Sequence, residues 1–216
     1  MIQLYYRPST ASLIPHILLY ELDTPFELVL VNSGSNGQKS AELLQLNPNG
    51  LVPVLKDGAL VLYETAAICL YLIDTPKGQR LAPALGTPER AHFYKWLIWL
   101  TNTMQSTLMA YFNPGRWVQE GNEAAAAEVK ARAQEKVHSM LDQLDSEMAR
   151  HGGEWFMGSA FSALDPYVFV LCRWTRGFSS RPARDYPHLS PYLKRMLART
   201  ATQQAFLAEN LVEPFV

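Results

Sequence analysis

One segment of the chain combines groups that can bind a peptide with groups that can bind an amino-acid head. It runs from Asn47 to Thr65 and contains an apolar run interrupted by Pro53. Because proline has no N–H for a sheet ladder, Val52-Pro53 is predicted to begin a strand, with a possible cis bond. The backbone N–H and C=O of Val52 are then available to an extended peptide.

The end of this segment is predicted to open a helix at Glu64 and Thr65. Residues 56–58 carry a Lys-Asp-Gly hairpin signal, and residues 59–62 form the returning strand. Amides and a hydroxyl at a helix start can hold a carboxylate, and the Glu64 carboxylate can hold an ammonium group. The expected ligand therefore has peptide-like amides and an amino-acid head.

A second group of candidate residues, the hydroxyls of Ser9, Thr10 and Ser12, precedes an apolar helix. Pro15 is tolerated only in the first helical turn, so the helix is predicted to begin near Ala11 or Ser12. A helix N-terminus favours an anion. These hydroxyls are therefore candidates for stabilising a negative charge there, although Ser12 can equally serve as a plain helix cap.

Composition limits the function classes. The chain has 216 residues, 48% of them hydrophobic and 18% charged, with a formal net charge of −1. No basic cluster indicates nucleic-acid binding, and no apolar run approaches the roughly 20 residues of a membrane span. A cytoplasmic protein with neither nucleic acid nor membrane as a partner is expected. Cys69 and Cys172, in apolar helical patterns, are predicted to be buried and inert.

The elements predict two domains. Residues 1–75 show the βαβαββα order of a thioredoxin-like α+β domain, and residues 76–88 form a linker rich in Pro and Gly. Residues 89–216 are predicted to form an all-α helical bundle. Its predicted helices span residues 89–112 and 123–150, followed by three shorter ones.

A Ser-Ala-Leu-Asp motif at residues 162–165 permits two structural interpretations. In a capping box, Ser162 caps a helix and Asp165 binds back to the Ser162 amide. Alternatively, Asp165 is itself the cap and Pro166 takes the first helical position. Both interpretations make Asp165 structural rather than catalytic.

Together these motifs resemble cytosolic glutathione transferases over the whole chain. In that family the proline is cis, and an acid–hydroxyl pair like Glu64-Thr65 binds the γ-glutamyl group of glutathione. Residues 4–16 look like the opening of the bacterial beta class, and the motif at residues 162–165 resembles the family's folding motif. The resemblance implies the glutathione transferase fold and a homodimer.

The resemblance places the glutathione sulfur at the start of the first helix. Lowering a thiol pKa from near 8.5 to about 6.5 requires about 2.7 kcal/mol, which a helix dipole plus one hydroxyl can supply. Ser12 is the first candidate for that hydroxyl, followed by Thr10 and Ser9. Beta enzymes carry a cysteine at the position of Ala11 and a histidine at what looks like Gln105, and both are replaced here.

The resemblance also assigns binding residues. The glutathione contacts are expected from Lys39, which would hold the glycine carboxylate, and from Asn49, Val52, Pro53, Glu64, Thr65 and Gln105. An apolar pocket for the second substrate is expected from Tyr5, Tyr111, Phe112 and Trp117. For each of these residues, a turn, surface or packing role is the alternative.

The implied activity is conjugation of glutathione, as co-substrate, to a small hydrophobic electrophile in detoxification, without a metal. Two alternatives stay open. One is a cysteine-free reductase of disulfides or peroxides, in which a hydroxyl such as that of Thr10 supports the thiolate. The other is a non-catalytic relative that binds a protein partner. The sequence does not identify the electrophile.

Overall fold

A computed structural model describes residues 1–31 and 41–216. The chain divides into two units, the first comprising Met1–Ala82 with Leu197–Glu213 and the second Pro83–Met196 with Pro214–Val216. The sequence predicts one domain for residues 89–216, whereas in the structure Leu197–Glu213 belongs to the first unit. The predicted boundaries at residues 75 and 88 stay a prediction.

The first unit is built on a four-stranded mixed sheet. Its strands are β1 (Ile2–Tyr6), β2 (Phe26–Leu30), β3 (Val54–Asp57) and β4 (Leu60–Tyr63), in the order β2-β1-β3-β4. Strand β1 is parallel to β2 and antiparallel to β3, and β3 and β4 form a hairpin. The hairpin turns at Gly58, whose φ of +57° suits glycine. The predicted βαβ start and hairpin are confirmed.

The α-helices within Met1–Ala82 follow the predicted order. They are α1 (Leu13–Glu21), α2 (Ala41–Leu46) and α3 (Thr65–Ile73). Pro15 is the third residue of α1, within the first turn, as predicted. The second helix of the predicted order is described from Ala41 onward, because residues 32–40 lie outside the described residues.

The rest of the chain is helical. The helices are α4 (Pro88–Trp99), α5 (Ser106–Phe112), α6 (Glu123–His151), α7 (Leu164–Arg173), α8 (Leu189–Ala198) and α9 (Thr200–Ala208). Residues Leu100–Gln105 form a π-helical segment between α4 and α5, so the helix predicted over residues 89–112 is interrupted by wider turns. Helix α6 is capped by the Asn122 side chain and ends at Gly152, which has a φ of +62°.

The motif at residues 162–165 shows one half of the capping-box interpretation: Asp165 binds back to the Ser162 amide, but Ala163 occupies the cap position of α7 and no side chain caps the helix. Asp165 is the second residue of α7, so the interpretation in which it is itself the cap is wrong. One carboxylate oxygen of Asp165 accepts hydrogen bonds from the Ser162 N–H at 2.7 Å and the Ser162 hydroxyl at 3.1 Å. The other accepts from the Phe156 N–H at 2.8 Å. Burial raises the pKa of Asp165 to about 6, and the same hydrogen bonds oppose that rise. The carboxyl group is fully buried, which fits the structural role predicted for it.

Replacing Asp165 with Ala is expected to destabilise the protein strongly. Two backbone N–H groups and a hydroxyl would lose their acceptor, and each buried donor left unsatisfied costs about 1–3 kcal/mol. We expect the free energy of unfolding in urea to fall by more than about 3 kcal/mol.

The matched control is Asp142→Ala. Asp142 is exposed and pairs with Arg181 at 2.7 Å, and exposed pairs contribute about 0–1 kcal/mol. Equal losses in the two variants would contradict the role assigned to Asp165.

Candidate active site in the first unit

The predicted peptide-binding position at Val52 lies immediately before β3. The Val52–Pro53 peptide bond is cis, as predicted. Pairing of β3 with β1 and β4 begins at Val54, so Val52 lies outside the register of both ladders. Val52 is half-buried, and its unpaired backbone can pair with an extended ligand in the manner of an added strand.

Asn47 supports this segment, a role that the sequence analysis missed. Its side-chain N–H donates to the Leu51 carbonyl at 2.8 Å, and its side-chain oxygen accepts from the Asn49 N–H at 3.0 Å. Asn47 is buried, whereas Asn49 is exposed in the turn. Asn47 thus fixes the residue that precedes Val52. The Asn-Pro-Asn-Gly sequence indicates a turn, but it does not show which asparagine is turned inward.

Glu64 and Thr65 open α3, as predicted. Glu64 is exposed and has a φ of +72° and a ψ of 113°, a conformation that L residues rarely adopt and that costs about 1–3 kcal/mol. Such strained residues cluster at binding sites. The Ile68 N–H binds the Glu64 carbonyl, so the amides of residues 65–67 precede the first α-helical bond. These amides can bind a carboxylate beside the Glu64 side chain.

Ser12, the first catalytic candidate, is fully buried. Its hydroxyl donates to the Arg7 carbonyl at 3.0 Å, accepts from the Arg7 N–H at 3.3 Å, and lies 2.9 Å from the Thr10 hydroxyl. Ser12 occupies the cap position of α1, but its side chain makes no capping bond. Direct activation of a thiol by Ser12 is therefore disfavoured, and the geometry gives it a role in holding the loop that joins β1 to α1.

Thr10 and Ser9 are the more accessible hydroxyl residues of this loop, since both are half-buried. The Thr10 hydroxyl donates to the Arg7 carbonyl at 2.8 Å, next to Ser12. Ser9 has a φ of +64°, and its N–H donates to the Glu209 carboxylate at 2.9 Å. Two candidates for contacting the sulfur therefore remain in this loop. They are Thr10, whose hydroxyl contacts that of Ser12, and Ser9, whose backbone is strained.

Tyr5 and Lys39 are two further candidate site residues of the sequence, and the structure describes only Tyr5. Tyr5 is only 7% exposed and belongs to a cluster with Val31, Leu43 and Val54, so the structure gives it a packing position rather than a pocket wall. Burial, followed by the charges of Glu42 and Glu27, raises the pKa of Tyr5, which makes its phenolate less accessible. Lys39 lies outside the described residues, and its contact with the glycine carboxylate stays a prediction.

Gln105 belongs to the second unit and has a partner there. The Tyr167 hydroxyl donates to the Gln105 side-chain oxygen at 2.6 Å and lies 3.1 Å from the Thr101 hydroxyl. Gln105 therefore has a structural partner within its own unit. A contact between Gln105 and glutathione stays a prediction.

The aromatic residues predicted to form a substrate pocket occupy two places in the second unit. The Tyr111 ring lies 4.6 Å from Phe178, and the Phe112 ring lies 6.1 Å from Trp174. Trp117, 66% exposed, instead lines a cavity of about 510 Å³ between α5 and α6. A common substrate pocket formed by these residues stays a prediction.

The described residues hold no reactive cysteine. Cys69 and Cys172 are buried, and burial raises the pKa of both thiols, as expected for inert cysteines. Ala11, at the position of the beta-class cysteine, is a buried apolar residue.

Over residues 1–31 and 41–216, no group of three or more His, Cys, Asp or Glu side chains could hold a metal ion. No helix in the described ranges has both the length and the apolar composition needed to cross a membrane.

Two family models match the chain. The model described as glutathione S-transferase, N-terminal domain, covers residues 1–74, and the glutathione S-transferase, C-terminal domain, covers residues 127–195. Glutathione S-transferase GstB of Escherichia coli K12 is 30% identical over 210 residues, covering 85% of this chain and 95% of that protein. The chain belongs to the glutathione S-transferase family. It is a glutathione transferase, and the predicted fold is confirmed.

This transferase also resembles a solved structure that contains glutathione and a disulfide-bond oxidoreductase. A solved glutathione transferase homologue from Sulfitobacter, with bound glutathione, superimposes with a TM-score of 0.86 at 28% identity, covering 98% of this chain and 99% of that one. The disulfide-bond oxidoreductase YfcG of Escherichia coli K12 is 26% identical over 222 residues, covering 98% of this transferase and 97% of YfcG.

Proposed function

We propose that this transferase binds glutathione in its first unit and conjugates it to a small hydrophobic electrophile, with the Thr10 hydroxyl stabilising the glutathione thiolate. The observation that carries the proposal is the position of Thr10. Thr10 is half-buried in the loop before α1, and its hydroxyl lies 2.9 Å from the hydroxyl of the fully buried Ser12. No cysteine takes part.

Glutathione would lie along the segment before β3. The cysteinyl amide groups of glutathione would pair with the backbone of Val52, beside the cis peptide bond. Its γ-glutamyl carboxylate would bind the amides at the start of α3, and its ammonium group would bind Glu64. The bound glutathione in the Sulfitobacter homologue supports this choice of ligand. Lys39, Asn49 and Gln105 remain candidates for further contacts.

Activation of the sulfur needs a group that prefers the anion. The N-terminus of α1 contributes about 0.3–1 kcal/mol and a hydroxyl bond to a thiolate about 1.5–3 kcal/mol. Thr10 can turn its proton from the Arg7 carbonyl to the sulfur, because the Ser12 hydroxyl also donates to that carbonyl and keeps it bonded. The total reaches the roughly 2.7 kcal/mol that a shift of two pKa units requires.

The chemical step is a nucleophilic attack. The thiolate sulfur forms a bond to an electrophilic carbon, and the leaving group departs with its bonding electron pair. Tyr111, Phe112 and Trp117 are the aromatic candidates for contacting the apolar substrate. The transferase is further proposed to work as a homodimer, as the family resemblance implies.

A second candidate activity is the reduction of small disulfides, favoured by the likeness to the disulfide-bond oxidoreductase YfcG. The glutathione thiolate would attack a disulfide sulfur, form a mixed disulfide and release one thiolate. A second glutathione thiolate would then attack the mixed disulfide, releasing the other thiolate and oxidised glutathione. Because both cysteines are buried, the thiolate held by Thr10 would serve this reaction as well.

Thr10→Val keeps the shape of the side chain and removes the hydroxyl. The pKa of bound glutathione is expected to rise by about one to two units, since one bond to a charged acceptor contributes about 1.5–3 kcal/mol. The ultraviolet absorbance of the thiolate, recorded against pH, measures this shift. Turnover of a chloronitroaromatic and of a small disulfide shows which of the two activities depends on it.

Two variants serve as controls for this measurement. Thr10→Ser keeps a hydroxyl and should stay close to the parent. Ser12→Ala should raise the pKa less than Thr10→Val, because Ser12 acts from behind Thr10. A large rise in Ser12→Ala without one in Thr10→Val would contradict the proposal and support Ser12 as the activating group.

Asn47→Ala is expected to weaken glutathione binding by about tenfold, because the residue before Val52 loses a hydrogen bond that is worth roughly 1–1.5 kcal/mol. Calorimetric titration gives the affinity. Gln45→Ala, on the exposed surface of α2, is the control and should bind like the parent. Equal affinity in Asn47→Ala and the parent would show that glutathione does not depend on the Val52 segment.

A further inference from the structure

We propose that Glu209 is a positioning residue for the loop that activates the glutathione sulfur. This inference rests on the proposed function and adds a residue about 200 positions away in sequence from that loop. Glu209 directly follows α9, within the same unit as the loop. Its carboxylate is fully buried.

The Glu209 carboxylate joins two parts of the first unit. One oxygen accepts a hydrogen bond from the Ser9 N–H at 2.9 Å, and the other from Nδ1 of His16 at 2.8 Å. His16 lies in α1 and is fully buried among aromatic rings, with Tyr20 at 5.2 Å and Phe26 at 5.5 Å. One side chain therefore contacts both the loop and the helix whose N-terminus faces the sulfur.

The location of Glu209 is unfavourable for a carboxylate in the absence of these bonds. A negative charge at the C-terminal end of a helix opposes the helix dipole, and a buried carboxylate needs hydrogen-bond donors. Hydrogen bonds from Ser9 and His16 supply the donors that stabilise the carboxylate in this position. The link to Ser9 is the one that bears on chemistry, because Ser9 directly precedes Thr10.

Ser9 needs an external restraint. Its φ of +64° is uncommon for a residue with a side chain, and such a conformation persists only where the surroundings enforce it. The Glu209 bond holds the Ser9 N–H in that orientation. Without the bond, Ser9 can relax to a common conformation, and the Thr10 hydroxyl moves away from the position at which it meets the sulfur.

A second link between α9 and α1 provides a matched control. Arg199 makes a bidentate pair with Glu21 at 2.6 and 2.7 Å, within the same unit. Glu21 is the last residue of α1, at the end opposite to the loop. Glu21→Gln therefore weakens the attachment of α9 without touching Ser9.

The test compares Glu209→Ala, Glu209→Gln and Glu21→Gln with the parent. Circular dichroism establishes that each is folded, calorimetry gives glutathione affinity, and thiolate absorbance against pH gives the pKa of bound glutathione. In Glu209→Ala the pKa should rise by about one unit and kcat should fall about tenfold, with the KM for glutathione changed less than threefold. The KM for glutathione should change little because the variant does not alter Val52, Glu64 or Thr65, the residues proposed to bind glutathione.

Glu209→Gln is the conservative variant. Its side-chain oxygen can accept from Ser9, and its amide can donate to Nδ1 of His16 in the other tautomer. It should therefore keep the thiolate pKa within about half a unit of the parent. If Glu209→Ala does not fold, Glu209→Asp takes its place, since the shorter side chain cannot reach both donors.

The outcomes separate this inference from the proposed function. A parent that binds glutathione as thiolate, with a raised pKa in Glu209→Ala but not in Glu21→Gln, supports the positioning role. Equal thiolate pKa values in Glu209→Ala and Glu21→Gln would overturn that role alone. The positioning role would also be overturned if the thiolate pKa rose as much in Glu209→Gln as in Glu209→Ala. The pKa would then depend on the charge of Glu209 and not on its hydrogen bonds. A parent without bound thiolate would overturn the proposed function and this inference with it.

Discussion

In the proposed mechanism, activation of glutathione depends on two hydroxyl protons that are shared among three hydrogen-bond contacts. Thr10 and Ser12 each lie within hydrogen-bond distance of the Arg7 carbonyl, at 2.8 and 3.0 Å, and lie 2.9 Å from each other. Two protons satisfy two of these contacts at a time. The Thr10 proton can therefore turn to a thiolate while Ser12 keeps the loop bonded, so the group is ready for an anion without leaving a buried donor unsatisfied.

The same loop and the two binding segments rely on backbone geometry more than on particular side chains. In the proposed site, Val52 would contribute its N–H and C=O beside a cis bond, and the start of α3 would contribute amides next to Glu64, whose φ is +72°. These strained or special positions are stabilised by buried polar side chains, Asn47 for the Val52 segment and Glu209 for the loop at Ser9. The proposed function therefore divides binding and activation between separate parts of the first unit.

Local signals made much of the site predictable. The cis bond at Pro53, the hairpin turn at Gly58 and the helix start at Glu64 depend on neighbouring residues, and the structure has each of them. Burial was harder to predict: Ser12 and Tyr5 face inward, which a list of hydroxyl-bearing residues does not reveal. The bond from Ser9 to Glu209 spans 200 residues and joins parts of the chain that only tertiary packing brings together.

The most direct test is whether binding of glutathione to the parent protein expels the thiol proton. Calorimetric titration at pH 7 in two buffers of different ionisation enthalpy measures proton release, with S-methylglutathione as the matched ligand that has no thiol proton. With a bound thiolate pKa near 6.5, glutathione should release most of one proton per site and S-methylglutathione none. Binding of both ligands with the same proton release would contradict thiolate stabilisation, and failure of glutathione to bind at millimolar concentration would contradict the whole account.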